Sequence, residues 1–166
     1  MSQIILGLDP GTATIGYGVI VADKADVKHI AHGCIITSKT ETMPTRLNQI
    51  AKELRILLRK FQPDLVAIEQ LYFAKNVTTA MTVAQARGVL IQTVANLNIP
   101  VEHYTPLQVK QALTGYGKAD KTQMQKMVKA LLGLADIPKP DDAADALAVA
   151  VTCAASSKLA SLSKEL

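Results

Sequence analysis

Asp9, Glu69, Asp142 and Asp145 are acids in places where acids are costly. Asp9 closes the apolar run Ile4-Ile-Leu-Gly-Leu8, and Glu69 closes Leu65-Val-Ala-Ile68. A charge at the end of a buried run must be paired, neutralised or bound to a cation. Asp142 and Asp145 open the stretch Pro140-Asp-Asp-Ala-Ala-Asp-Ala-Leu-Ala-Val-Ala-Val151, which is otherwise apolar. Their spacing of three places both on one face of a helix. Capping and the helix dipole account for an acid at Asp141 or Asp142. They account poorly for Asp145, which lies one turn further into an alanine-rich face suited to close packing.

Carboxylates that converge repel one another unless cations lie among them. Oxygen-only ligands favour hard ions, chiefly Mg²⁺ or Mn²⁺. Two such ions can serve an in-line phosphoryl displacement, one activating water and the other stabilising the leaving 3′ oxygen. No nucleophilic side chain is then required. Other chemistries have less support. His29, His32 and His103 share no metal spacing and read as structural. Cys34 and Cys153 form no CxxC pair and read as two buried, reduced thiols. Neither a nucleophile elbow nor a Walker loop occurs.

The acids need elements to hold them. Ile4–Leu8, Ile15–Ala22 and Val27–Thr37 read as three strands of an antiparallel meander, with turns at Asp9-Pro-Gly11 and Asp23–Asp26. Leu47, Ile50, Leu54, Leu57 and Leu58 recur at helical spacing, and Pro63 stops that helix. Leu65–Ile68 is a fourth, short strand. Val77–Leu97 is a long helix, apolar or small nearly all round, and so buried on several sides or used as an interface. Pro100–Tyr104 is a fifth strand. Helices are expected over 106–114, 120–132 and 141–157. The pattern predicts an α/β domain over 1–157 with a five-stranded mixed sheet, three antiparallel strands followed by parallel ones, and a frayed tail over 158–166. If the first and fourth strands are parallel neighbours, Asp9 and Glu69 sit side by side at their carboxyl ends, where sites in such sheets lie.

Bulk properties narrow the partners. With 166 residues, 49% of them apolar and 19% charged, the chain suits one folded core. No apolar run reaches the length of a membrane span, and no signal peptide is recognised, so a cytoplasmic protein is expected. The net charge is +4, and Pro106–Pro140, with six lysines against Asp120 and Asp136, supplies all of it. A basic block on a near-neutral body suits a polyanion, and equally an ordinary solvated helical surface.

Taken together, the motifs resemble those of the RuvC junction resolvases. Ile5-Leu-Gly-Leu-Asp-Pro-Gly-Thr12 with Gly16-Tyr-Gly-Val19 resembles the first motif of that family. Ala67-Ile-Glu-Gln70 and Ala74-Lys-Asn76 resemble the second. Gln85-Ala-Arg-Gly88, Gln108-Val-Lys110 and Asp142-Ala-Ala-Asp-Ala-Leu-Ala148 complete the set, in the family's order, over roughly residues 4–152. The resemblance implies a ribonuclease H-like fold and a homodimeric, Mg²⁺-dependent endonuclease of recombination and repair. Such an enzyme holds two ions per subunit, with Mn²⁺ able to substitute. It cuts two opposed strands of a four-way DNA junction and leaves 5′-phosphate nicks. It also implies cooperation with a RuvA–RuvB branch-migration complex.

By position, the resemblance makes Asp9, Glu69, Asp142 and Asp145 metal-binding catalytic acids. Some relatives have histidine where Asp142 stands, and Asp141 stays unassigned. Lys110 and Lys121 match family lysines tied to catalysis or backbone contact, where an ammonium would stabilise developing charge. Tyr72 or Phe73 would wedge into the junction and stack on a base. Lys75, Asn76 and Lys118 join Lys110 and Lys121 as expected DNA contacts. A ribosomal RNA processing nuclease of the same fold and a non-cleaving junction scaffold are the alternatives. A sugar-kinase-like ATPase, suggested by Gly7-Leu-Asp-Pro-Gly-Thr12, needs a second large domain that this length cannot supply.

Overall fold

The computed structural model describes residues 2–23, 26–70 and 77–162. Strands β1 (Gln3–Asp9), β2 (Thr14–Ala22) and β3 (Val27–Ile36) form the antiparallel meander. Strands β4 (Leu65–Glu69) and β5 (Val101–Tyr104) extend the sheet on the other side of β1, each parallel to its neighbour. The strand order is β3-β2-β1-β4-β5. This is the expected mixed five-stranded sheet, with the ribonuclease H-like arrangement.

Five helices cover it: α1 (Met43–Phe61), α2 (Val77–Ala95), α3 (Pro106–Thr114), α4 (Lys121–Leu131) and α5 (Asp141–Leu162). Because strand side chains alternate, β1 feeds two cores. Leu6 and Leu8 join Val19, Val66, Ile50, Leu54, Ala86 and Leu90 under α1 and α2. Ile5 joins Ile20, Leu65, Ala67, Val128 and Leu147 under α3, α4 and α5. Burial on both faces explains why β1 and β4 read as continuous apolar runs.

Local chemistry sets the helix ends. Thr42 caps α1, Pro44 lies in its first turn, and Gln62 closes it in the left-handed region at φ 46°. Thr105 with Gln108, and Asp120 with Gln123, form reciprocal capping boxes that start α3 and α4. Helix α2 ends at Ala95, two residues before the expected Leu97, in a turn where Asn98 takes φ 55°. Helix α5 runs to Leu162, beyond the end expected at residue 157. No helix among the described residues is long and apolar enough to cross a membrane.

One irregularity escaped the sequence pattern. The register between β2 and β3 slips at Val19/Ile20, so Ile20 pairs with His29 and Val19 with Ala31. Ile30 is the extra residue of a β-bulge. The bulge turns His29 and His32, three apart, to the same side. Their ring nitrogens are hydrogen-bonded at 2.8 Å. These histidines, expected to be structural, are a pair.

Candidate carboxylate site

Strand periodicity places the first two acids. On β1, Ile5 packs against the α5 side and Gly7 lies under Ala146 and Ala150, so Asp9 points to that side as well. On β4, Leu65 and Ala67 face the same way, and Glu69 follows them. Leu8 pairs in parallel with Ile68, so Asp9 and Glu69 are the next residues of adjacent strands. The antiparallel partner of Asp9 is Gly16.

Helix α5 brings the other two. It lies so close to the sheet that a Cβ on Gly16 would overlap the Asp142 carbonyl. A Cβ on Gly7 would overlap the carbonyl of Ala146. Glycine is required at these positions by close approach. Ala143, Ala146 and Ala150 supply the matching small residues on α5, all fully buried. The first turns of α5 therefore stand over the carboxyl ends of β1 and β4, and Asp142 and Asp145 project beside Asp9 and Glu69.

The electrostatics express this convergence. Burial first, then the charges of Glu69, Asp145 and Asp142, push the Asp9 carboxyl up to about 8. Glu69 is also raised, by burial and by Asp145. Asp9 and Glu69 act on each other directly, and their mutual influence raises Asp9 further. Asp145 is raised by burial, opposed by Lys121. The Cys34 thiol lies near enough to feel Asp142 and Asp9, and burial with those charges raises it to about 11. Cys34 is only half-buried, unlike Cys153, and both thiols are free.

Among the described residues, no three His, Cys, Asp or Glu side chains form a ready cage for a metal ion. The site's repulsion is relieved in part by Lys121, whose Nζ lies 3.2 Å from Asp145 Oδ2. The donor set nonetheless suits a hard cation. It is oxygen-only, with three carboxyls held above their ordinary range. A divalent ion would offset the mutual repulsion of these carboxylates and favour their charged forms.

Beside the acids lies a cleft of about 240 Å³, lined by Glu69, Asp145, Lys110, Lys121, Asp120 and Met124 among others. Lys110 and Lys121 thus share a wall with two of the acids. Gln108 is committed to the α3 cap, where its side chain accepts from Thr105 N–H at 2.8 Å, and this fixes the start of the helix that carries Lys110. The Asp120–Gln123 box does the same for Lys121, the first residue of α4.

The chain matches the family model described as crossover junction endodeoxyribonuclease RuvC over residues 5–153. The chain belongs to the RuvC family. A relative from Syntrophomonas wolfei carrying the same description is 54% identical over 147 residues, covering 89% of this chain and 86% of its own. The structure of Thermus thermophilus RuvC superposes with a TM-score of 0.88 at 32% identity, covering 95% of this chain and 96% of that one. The same protein in complex with a Holliday junction substrate gives 0.86 at 31% identity, covering 94% and 96%.

The RuvC motif residues divide by location. Asp9, Glu69, Asp142, Asp145, Lys110 and Lys121 come together as described. Lys118 is exposed in the segment joining α3 to α4. Tyr72, Phe73, Lys75 and Asn76 lie outside the described residues.

Three supports of the site were given no role from the sequence. Arg87 donates from Nε to the Glu69 carbonyl at 3.2 Å and lies 3.0 Å from His103 Nδ1, tying the ends of β4 and β5 to α2. Thr37 donates to the Thr12 carbonyl at 2.6 Å, and Arg46 Nε donates to Thr37 at 2.9 Å, which fixes the loop after Asp9. Asp141 accepts from Lys139 and Gln125 and pairs with Lys121. Only Arg87 sat inside a recognised motif; side-chain to backbone contacts across the fold leave no local pattern.

Proposed function

We propose that this chain is a structure-selective endonuclease that resolves four-way DNA junctions by two symmetric, metal-dependent phosphodiester hydrolyses. The observation that carries this reading is the convergence of Asp9, Glu69, Asp142 and Asp145 at one sheet edge, beside a cleft walled by Lys110 and Lys121. Family membership and the likeness to Thermus thermophilus RuvC bound to a Holliday junction support it.

Asp9, Glu69, Asp142 and Asp145 would hold the divalent cation, with Mg²⁺ favoured by the all-oxygen set and two ions per subunit by the number of carboxylates. When bound, such ions supply Lewis-acid chemistry, making water a nucleophile near neutral pH and stabilising the leaving 3′ oxygen. The protein's own groups do the rest. The carboxylates orient what they bind because strands and a close-packed helix fix their backbones. Lys110 and Lys121 present ammonium groups to the scissile phosphate as its charge develops. The 5′-phosphate stays on the cut strand, which leaves a nick that can be sealed.

Two matched cuts on a nearly two-fold symmetric junction call for two sites, which a homodimer supplies from one chain. The exposed face of α2, with Met81, Gln85, Gly88 and Gln92, is the proposed seat. Cooperation with RuvA–RuvB and a cytoplasmic location complete the reading.

The test is cleavage of an end-labelled mobile junction against linear duplex, in Mg²⁺ and in EDTA. Paired nicks at symmetric positions on the junction alone, lost in EDTA, are expected. Junction binding without cleavage would leave the scaffold reading. Failure of both would return the chain to RNA-processing chemistry.

A further inference from the structure

Asp141 is the acid that the metal set leaves over. Its Oδ1 lies 3.2 Å from Lys139 Nζ and 3.1 Å from Gln125 Nε2. Its Oδ2 lies 3.5 Å from Lys121 Nζ. The same Lys121 ammonium lies 3.2 Å from Asp145 Oδ2. One cation thus joins an acid of the metal set to an acid outside it. The backbone of Lys121 is pinned at the start of α4 by the Asp120 cap, while its side chain is 55% exposed and free to swing.

We propose that Lys121 is an exchangeable counter-ion of the cation site, with Asp141 as its second berth. With no divalent ion present, Lys121 neutralises Asp145. When an ion takes Asp145, like charge drives the ammonium off, and Asp141 receives it. Asp141 is then a positioning residue that keeps Lys121 at the mouth of the cleft. This rests on the cation-dependent reading above.

The geometry suits the exchange. Asp141 Oδ2 is already within 3.5 Å of the ammonium, so the transfer needs only a small rotation of a flexible stem. Lys139 and Gln125 hold Asp141 from its other oxygen, so the acceptor stays in place while the lysine moves. Without Asp141, the nearby anionic partner is Asp145 itself, and the lysine competes with the incoming ion throughout. A lysine that only stabilised the transition state would leave cation affinity in the absence of DNA unchanged. A lysine that acts as counter-ion lowers it.

The test is titration of the full-length, DNA-free protein with Mn²⁺ alone, read by the electron paramagnetic resonance signal of the free ion. Lys121→Met is expected to bind Mn²⁺ roughly two- to five-fold more tightly than the wild type, the upper range of one exposed or partly exposed ion pair, although it cleaves less well. Lys121→Arg is expected to keep near wild-type affinity. Asp141→Asn is expected to weaken binding several-fold, and to do so much less in the Lys121→Met background. An unchanged or weaker Mn²⁺ affinity in Lys121→Met would overturn the proposal. So would an equal effect of Asp141→Asn in both backgrounds, since Asp141 would then act only as one more negative charge. A wild type that binds no Mn²⁺, or binds it as well after Asp9→Asn, would overturn this proposal together with the metal-dependent reading beneath it.

Discussion

Asp9 bears the largest electrostatic burden in the site, and that burden has a sign. Its carboxyl stands near 8 in the folded, metal-free protein against 3.8 without the fold, through burial and three neighbouring acids. Between those values the folded state binds the extra proton, so metal-free stability falls as pH rises from about 4 to about 8. Asp9→Asn removes the cost. In EDTA the variant is expected to match the wild type near pH 4 and to exceed it at pH 8 by on the order of 3 kcal/mol, given about 1.4 kcal/mol per pH unit and a burden shared with Glu69. In Mg²⁺ the difference is expected to shrink or reverse, because the bound ion stabilises only the wild type. Thermal melts at both pH values, with and without Mg²⁺, check this; a variant less stable in EDTA at pH 8 would remove Asp9 from the acid cluster. The four acids were legible in the sequence because each interrupts an apolar pattern. The roles of Arg87, Arg46 and Asp141 were not, because their partners Glu69, Thr37 and Lys121 lie on other elements and only the fold brings them near.

At the scale of elements, α5 decides whether there is a site at all. Its first turns carry two of the acids, and its seat on β1 and β2 depends on glycines that let backbones approach. Gly7→Ala places a methyl group against the backbone of Ala146 and Ala150. Neither neighbour is a flexible side chain, so α5 must shift. A loss of about 2–4 kcal/mol is expected, the range of core overpacking toward its severe end, read as a lower urea midpoint. A wild-type midpoint would show that α5 has slack, and the close-packing account of the site would fail. The strands, helix order and sheet type were readable from periodicity. The β3 bulge was not, since one extra residue in an edge strand leaves the apolar pattern almost intact. Nor was the reach of α5 to Leu162: the helix was expected to end at residue 157 and the tail from 158 to fray, whereas the backbone continues in helix.

The whole molecule raises the question of symmetry. Gly88 sits in the middle of α2, where glycine costs roughly 1 kcal/mol against alanine. Within the protomer nothing repays this, for a Cβ there would meet no described atom within 4 Å. At Gly7 and Gly16 the reason for glycine is visible inside the chain; at Gly88 none is visible among the described residues, and the proposed dimer would supply one. The neighbouring exposed positions Met81, Gln85 and Gln92 recur at helical spacing along the same face. A second copy of α2 crossing there would use the missing side chain, as close helix packing does. Gly88→Glu is therefore expected to leave the circular dichroism spectrum unchanged, because the side chain has room in the protomer. It is also expected to convert the protein to a monomer in sedimentation, by placing like charges face to face across a two-fold axis. On a four-way junction the monomer would still hydrolyse single phosphodiesters, with unpaired nicks in place of matched cuts. A Gly88→Glu protein that sediments as a dimer and cuts both strands together would move the interface elsewhere and leave the glycine at the centre of α2 without a reason.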